Sequence, residues 1–181
     1  MTPAWLKGLK VLRADSCEPA ATGLAWSVFL EPRQLVEAAQ RLDQAGFTLE
    51  DLSGLDVSEG FIVTYHFGHW QKPDRVALRV MTSHETPSLP SINHIFGGAE
   101  WHERECRDFF GVQFEGNPNP GALLLPAEAD FNPLVKEEKD RKPARELLCQ
   151  GEPVFSDPDF DLLTPPPEPD APAQDPATEG E

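Results

Sequence analysis

The chain has 181 residues, enough for one domain with its own core. At 39% hydrophobic and 25% charged it has the composition of a soluble globular protein, and no apolar run reaches the roughly 18–20 residues that cross a bilayer. A formal net charge of −16 excludes general binding to a phosphate backbone, which relies on lysine and arginine. The N-terminus shows no basic, apolar, small-residue succession, so no secretory signal is expected.

The first regular element in the sequence is a short apolar strand at 26–30, Trp-Ser-Val-Phe-Leu. The stretch 32–45 predicts an amphipathic helix. Leu35, Ala38, Ala39 and Leu42 recur at helical spacing, Pro32 suits the first turn and Gly46 the stop. A weaker strand is expected over 47–55, and two clearer ones follow. Phe61, Val63, Tyr65 and Phe67 alternate with Ile62, Thr64 and His66, the period of two that marks a sheet. Val76, Leu78 and Val80 alternate with Ala77, Arg79 and Met81 in the same way, and 68–74 has the length and turn chemistry of a hairpin loop. One helix beside successive strands points to an α+β fold: a small, mostly antiparallel sheet with one or two packed helices.

Residues 87–92 read as extended, and 100–110 as a short helix stopped at Gly111. Pro118, Pro120, Pro126 and Pro133 then break any long element. Phe114, Leu123, Leu124, Leu125 and Phe131 nevertheless need an apolar surface. The expected organisation is therefore an α+β core over 1–111, followed by an extended irregular arm over 112–156 that becomes ordered on a partner. From 157 to 181 there are seven prolines and eight acids with no lysine or arginine, so half the net charge lies there. That composition reads as a disordered acidic tail.

The densest chemistry lies between Glu103 and Asp108, where Glu103, Arg104, Glu105, Arg107 and Asp108 surround Cys106. On a helix, Glu103 with Arg107 and Arg104 with Asp108 form i, i+4 pairs, each worth a few tenths of a kcal/mol on a solvated face. Trp101 on one side and Phe109, Phe110 and Gly111 on the other favour partial burial instead. Buried charges must be paired, and removing one partner costs roughly 3–5 kcal/mol. His66 and His69 are two potential metal ligands without a third nearby. Around Cys106 the acids oppose thiolate formation as much as the arginines favour it. Cys17, Cys106 and Cys149 are an odd, scattered set with no CxxC, which fits a reducing compartment better than a disulfide framework, zinc or an iron–sulfur cluster. No Gly-rich phosphate loop, GxSxG or HExxH is present, and no cofactor is expected.

The run from Pro87 to Pro118 resembles the 30-kDa subunit family of respiratory complex I, which has versions in group 4 membrane-bound [NiFe] hydrogenases and formate hydrogenlyases. Its signature falls here on Ser91, Trp101, Glu103, Arg104, Glu105, Asp108, Phe109, Phe110, Gly111, Phe114 and Gly116. The looser likeness reaches back to about Trp26. Two departures stand out. The family's His-Pro is Asn117-Pro118, and the basic residues that follow it are replaced by Pro120, Gly121 and Ala122, while Leu123, Leu124 and Leu125 are kept. The departures suit a divergent branch such as a hydrogenase-type complex.

The resemblance implies a non-catalytic subunit of a membrane-bound electron-transfer complex. Its partners would be a large 49-kDa or [NiFe]-hydrogenase-like subunit and a small iron–sulfur subunit, at the cytoplasmic face of the inner membrane. It implies no cofactor of the chain's own. The charge network of Glu103, Arg104, Glu105 and Asp108 would set the helix and the departing arm, and Phe110, Phe114, Leu123, Leu124 and Leu125 would dock on the large subunit. Two alternatives stay open: a stand-alone metal- or thiol-dependent enzyme using His66, His69 and Cys106, and a transient assembly factor. Electron donor, acceptor and pumped ion belong to other chains.

Overall fold

The computed structural model describes residues 2–148 and 150–164. Its strands are β1 (Arg13–Ser16), β2 (Trp26–Leu30), β3 (Phe47–Val57), β4 (Gly60–His69), β5 (Arg75–Thr82), β6 (Ser88–Pro90), β7 (Gln113–Glu115) and β8 (Glu152–Ser156). The helices are α1 (Pro19–Thr22), α2 (Leu35–Gln44), α3 (Ala99–Phe110) and α4 (Ala144–Leu147). Six strands form one sheet in the order β3-β4-β5-β2-β1-β8, while β6 and β7 pair separately. Neighbours in the large sheet are antiparallel except β2 and β5, which run parallel. The chain leaves β2 through α2 and the β3–β4 hairpin before returning beside it, the long crossover that a parallel pair requires. The α+β architecture read from the sequence is thus the one observed.

Strand alternation sorts the sheet into two faces. Val28, Leu30, Val63, Tyr65, Phe67, Leu78 and Val80 point to the face covered by α2 and α3, and form the main core with Leu35, Leu42, Cys106 and Phe110. Phe29, Val57 and Ile62 point to the other face, where Ala144, Leu162 and Leu163 cover them. Pro32 opens a short 3-10 turn leading into α2, and Gly46, at φ +87°, ends it. Gly111, at φ +77°, ends α3 and donates to the Arg107 carbonyl at 2.8 Å.

Three strands escape the sequence reading: β7 is only three residues long, and in β1 and β8 neither Arg-Ala-Asp-Ser nor Glu-Pro-Val-Phe-Ser alternates in hydrophobicity. β8 is exposed along its whole length and is held by its pairing with β1. The pairing slips at Ala14/Asp15, so that Val154 is an extra residue on β8, a bulge beside Pro153. The sheet is therefore completed from beyond residue 111, and the segment expected as an arm folds back on the core. The first residues of the expected tail are packed on the sheet. Phe160 packs on Phe29 with ring centroids 5.2 Å apart, and Leu162 and Leu163 are buried. The rest of that expected tail, 165–181, lies outside the described residues.

α3 crosses close over β3 at Gly54, where an added Cβ would lie 2.5 Å from the Phe110 ring. Replacing Gly54 by alanine is expected to destabilise the fold by about 1–3 kcal/mol through overpacking, read as a lower urea midpoint with an unchanged slope.

Candidate functional site

The site is built on α3. It starts from Glu103, whose side chain is fully buried. Its Oε2 accepts from the Ser91 hydroxyl at 2.7 Å and from Asn117 Nδ2 at 2.8 Å, and its Oε1 accepts from the Ile92 N–H at 2.9 Å. One carboxylate thus ties the turn before α3 and the loop after β7 to the helix. Burial pushes the Glu103 carboxyl above its ordinary value, against the pull of these three donors. The expected Glu103–Arg107 pair does not form, because Glu103 points inward and Arg107 donates to the Pro120 carbonyl.

Asp108 plays the matching part at the other end of the helix. Its Oδ2 accepts the consecutive N–H groups of Leu123, Leu124 and Leu125 at 2.9, 2.8 and 3.1 Å. Burial alone would raise the Asp108 carboxyl, but the three N–H groups and the Arg107 charge outweigh it and hold it below its ordinary value. Arg104 donates to the carbonyls of Gly121 and Ala122 at 3.1 and 2.8 Å, and pairs with Glu100 at 3.9 Å rather than with Asp108. Asn132 Nδ2 donates to the Arg107 and Asp108 carbonyls at 3.2 and 2.8 Å, closing the C-terminal end of the helix. The charged run therefore winds the 117–132 segment around α3 through backbone groups, where intrahelical ion pairs were expected.

A third carboxylate, missed from sequence, continues the same device. Asp56 is buried in β3 and accepts from the Lys136 N–H at 2.7 Å, with His84 at 2.7 Å and Arg141 at 3.0 Å beside it. Glu59 accepts the N–H of Ala144 at 3.1 Å at the start of α4. The one sequence signal for Asp56 was an acid inside the strand run Leu55-Asp56-Val57, where burial demands partners.

The residues expected to dock on a partner separate into two sets. Phe110 and Phe114 are buried in this chain's own core, so their surfaces are already used. Trp101 and Leu124, at 61% and 59% exposure, project from α3 and the wound segment, and Phe131 and Leu134 join them at 58% and 49%. The Arg104 guanidinium lies over the Trp101 ring, 5.8 Å from its centroid. Leu123 and Leu125 are half-buried, Glu105 and Pro118 are exposed, and Gly116 takes φ +91°.

His66, His69 and Cys106 do not come together. His66 and His69 are three residues apart on β4 and so face opposite sides of the sheet. His69 stacks edge-on against Phe47 at 5.1 Å and its Nδ1 accepts the Gln71 N–H at 3.0 Å. Burial, and then the nearby Glu105 and Glu103 charges, push the Cys106 thiol up to about 12, so it is not a thiolate at neutral pH. Among the described residues no three His, Cys, Asp or Glu side chains gather where they could hold a metal ion.

Fold and site together define a class: an α+β chain whose densest ionisable cluster binds its own backbone. Residues 28–144, which include every signature position, match the model of the respiratory-chain NADH dehydrogenase 30 Kd subunit, and the chain belongs to that family. It is 34% identical over 118 residues to a subunit of the NADH-quinone oxidoreductase of Roseiflexus castenholzii, across 61% of this chain and 68% of that one. A 67-residue stretch is 51% identical to a subunit of the NAD(P)H-quinone oxidoreductase of Prochlorococcus marinus, across 36% of each chain. Among solved structures, a chain of the membrane-bound sulfane sulfur reductase, an archaeal respiratory membrane complex, shares the fold with a TM-score of 0.54 and 19% identity, over 67% of this chain and 74% of that one. The trypsin-resistant fragment of Nqo5 is 32% identical over 52% of this chain and 81% of its own, with a TM-score of 0.48.

The Asp108 cap makes a pH prediction. Its carboxyl is held below the unfolded value of about 3.9. Its stabilisation is therefore present above that pH and lost as pH falls through the depressed folded value. The stability gap between wild type and Asp108→Asn, measured by urea unfolding, is expected to be about 1.5–3 kcal/mol at neutral pH and to close as pH falls below the ordinary aspartate value and through the depressed folded one. A gap that stayed constant across that range would remove the charge from the account.

Proposed function

We propose that this chain is a non-catalytic subunit of a membrane-bound electron-transfer complex, docking on and stabilising the large 49-kDa or [NiFe]-hydrogenase-like subunit, with a small iron–sulfur subunit as a second neighbour. The observation that carries the reading is the set of exposed apolar side chains Trp101, Leu124, Phe131 and Leu134, the first on α3 and the others on or beside a segment whose backbone is fixed by Asp108, Arg104 and Asn132. A preorganised apolar surface loses little freedom on binding, which favours association. The respiratory-chain description of the family and the quinone-oxidoreductase names of the relatives favour a complex I type of assembly. The substitutions at 117–122 leave a hydrogenase-type complex as the second form of the same reading. No helix among the described residues is long and apolar enough to cross a membrane, so attachment at the cytoplasmic face would come through the complex. The stand-alone enzyme is the weaker reading, because Cys106 is buried and the two histidines are apart. A transient assembly factor would differ from a subunit by its stoichiometry in the purified complex.

The test is affinity purification of the tagged chain from gently solubilised native membranes. A large subunit should be recovered in equal amount, without nickel for complex I and with nickel for the hydrogenase type. The double variant W101A/L124A should keep its circular dichroism spectrum and lose at least about tenfold of that recovery, as expected when interface anchors are truncated. Glu103→Ala and Asp108→Ala should also weaken assembly, through the wound segment. Recovery of the wild-type chain alone and monomeric would sink the subunit reading.

A further inference from the structure

On the sheet face opposite α3, a groove of about 970 Å³ runs beneath the 157–164 segment. Its floor is apolar: Leu12, Phe29, Met81, Phe160 and Leu162 line it. Its rim is mostly acidic, with Glu31, Glu59, Asp157, Asp159 and Asp161 set against Lys10 and Arg145. Three of the five carboxylates already have internal partners. Glu59 caps α4, Glu31 pairs with Arg33, and Asp157 accepts the Asp159 N–H at 3.1 Å. Asp159 and Asp161 are exposed, and their carboxylates make no ion pair among the described residues. Thr164 lies on its lining, and every charged residue of the sequence after Arg145 is acidic, ten in all.

We propose that this groove is a docking site for a cationic segment of a partner chain, one in which lysines or arginines alternate with large apolar side chains. The volume is at the upper end of what ligand pockets offer, room for two or three apolar side chains. Apolar anchors would lie against the half-buried Phe160 and Met81, while cations at the rim would meet Asp159 and Asp161. The like-signed charge continuing past Thr164 raises the local concentration of a basic segment and repels an acidic one, which gives orientation and speed more than final affinity. Neither Trp101 nor Leu124 lines this groove, and the proposal does not require the partner assigned to them.

The probe is a fluorescein-labelled octapeptide alternating lysine with leucine and phenylalanine, titrated against the full-length chain by fluorescence anisotropy at low salt. Saturable binding is expected, lost when glutamate replaces the lysines. D159N/D161N should weaken it about tenfold with an unchanged urea unfolding midpoint; F160A, which also gives up the packing on Phe29 and so lowers that midpoint, should weaken it about fivefold in buffer where both chains are folded. The variant E168Q/D170N/D175N/E179Q/E181Q should slow association yet keep the dissociation rate within about twofold, because distant charge acts mainly on encounter. Absence of saturable binding to wild type would overturn the proposal. Equal binding of the glutamate peptide, or unchanged affinity in D159N/D161N and F160A, would do the same. If the five distal substitutions alone abolished binding, the attraction would be diffuse and the groove no site.

Discussion

A single carboxylate oxygen, Oδ2 of Asp108, receives three successive backbone N–H groups and so turns the chain at 123–125. A peptide N–H withdrawn from water must find an acceptor, and irregular backbone has no ladder to provide one. Charged acceptors meet that demand with bonds stronger than neutral ones. Glu103 repeats the device for the Ile92 N–H and holds Ser91 and Asn117 by their side chains, and Asp56 repeats it for the Lys136 N–H. The second half of the protein owes its course to these three acids. Removing one strands several donors together, so the loss at Asp108 should exceed that of one neutral hydrogen bond.

The acids also reconcile two properties that otherwise conflict. Trp101, Leu124, Phe131 and Leu134 stay exposed because the segment's shape is set by polar bonds underneath rather than by burying these side chains. A segment folded by its own apolar contacts would have consumed the surface it presents. Phe110 and Phe114 show that other outcome, for both are spent inside the core.

Legibility in the sequence followed periodicity. β4, β5 and α2 are visible because their apolar residues repeat at two or at 3.6, β2 as a short apolar run and α3 through its stop at Gly111. β1 and β8 carry no such repeat, being set by pairing between residues about 140 apart in the chain. At the site, the motif positions were legible as a group, yet their partners were not. Glu103 and Arg107 have the spacing of an ion pair, but which way a helical side chain points depends on what packs against it. Backbone donors such as Leu124 N–H leave no trace in residue type, and Asp56 hid as one acid among apolar neighbours. The folding-back of 152–156 and of 160–163 was concealed by prolines and acids that composition counts as disorder.

The edge formed by β8 has a consequence for how this protein meets others. Val154 interrupts its register with β1, and Pro153 has no amide hydrogen to offer. An incoming strand would find neither an even row of donors and acceptors nor a flat ribbon to lie against. On that side the sheet is closed to growth by main-chain pairing, so recognition there must be read out by side chains. Along β8, a neighbouring extended segment finds no template on which to add itself as a further strand.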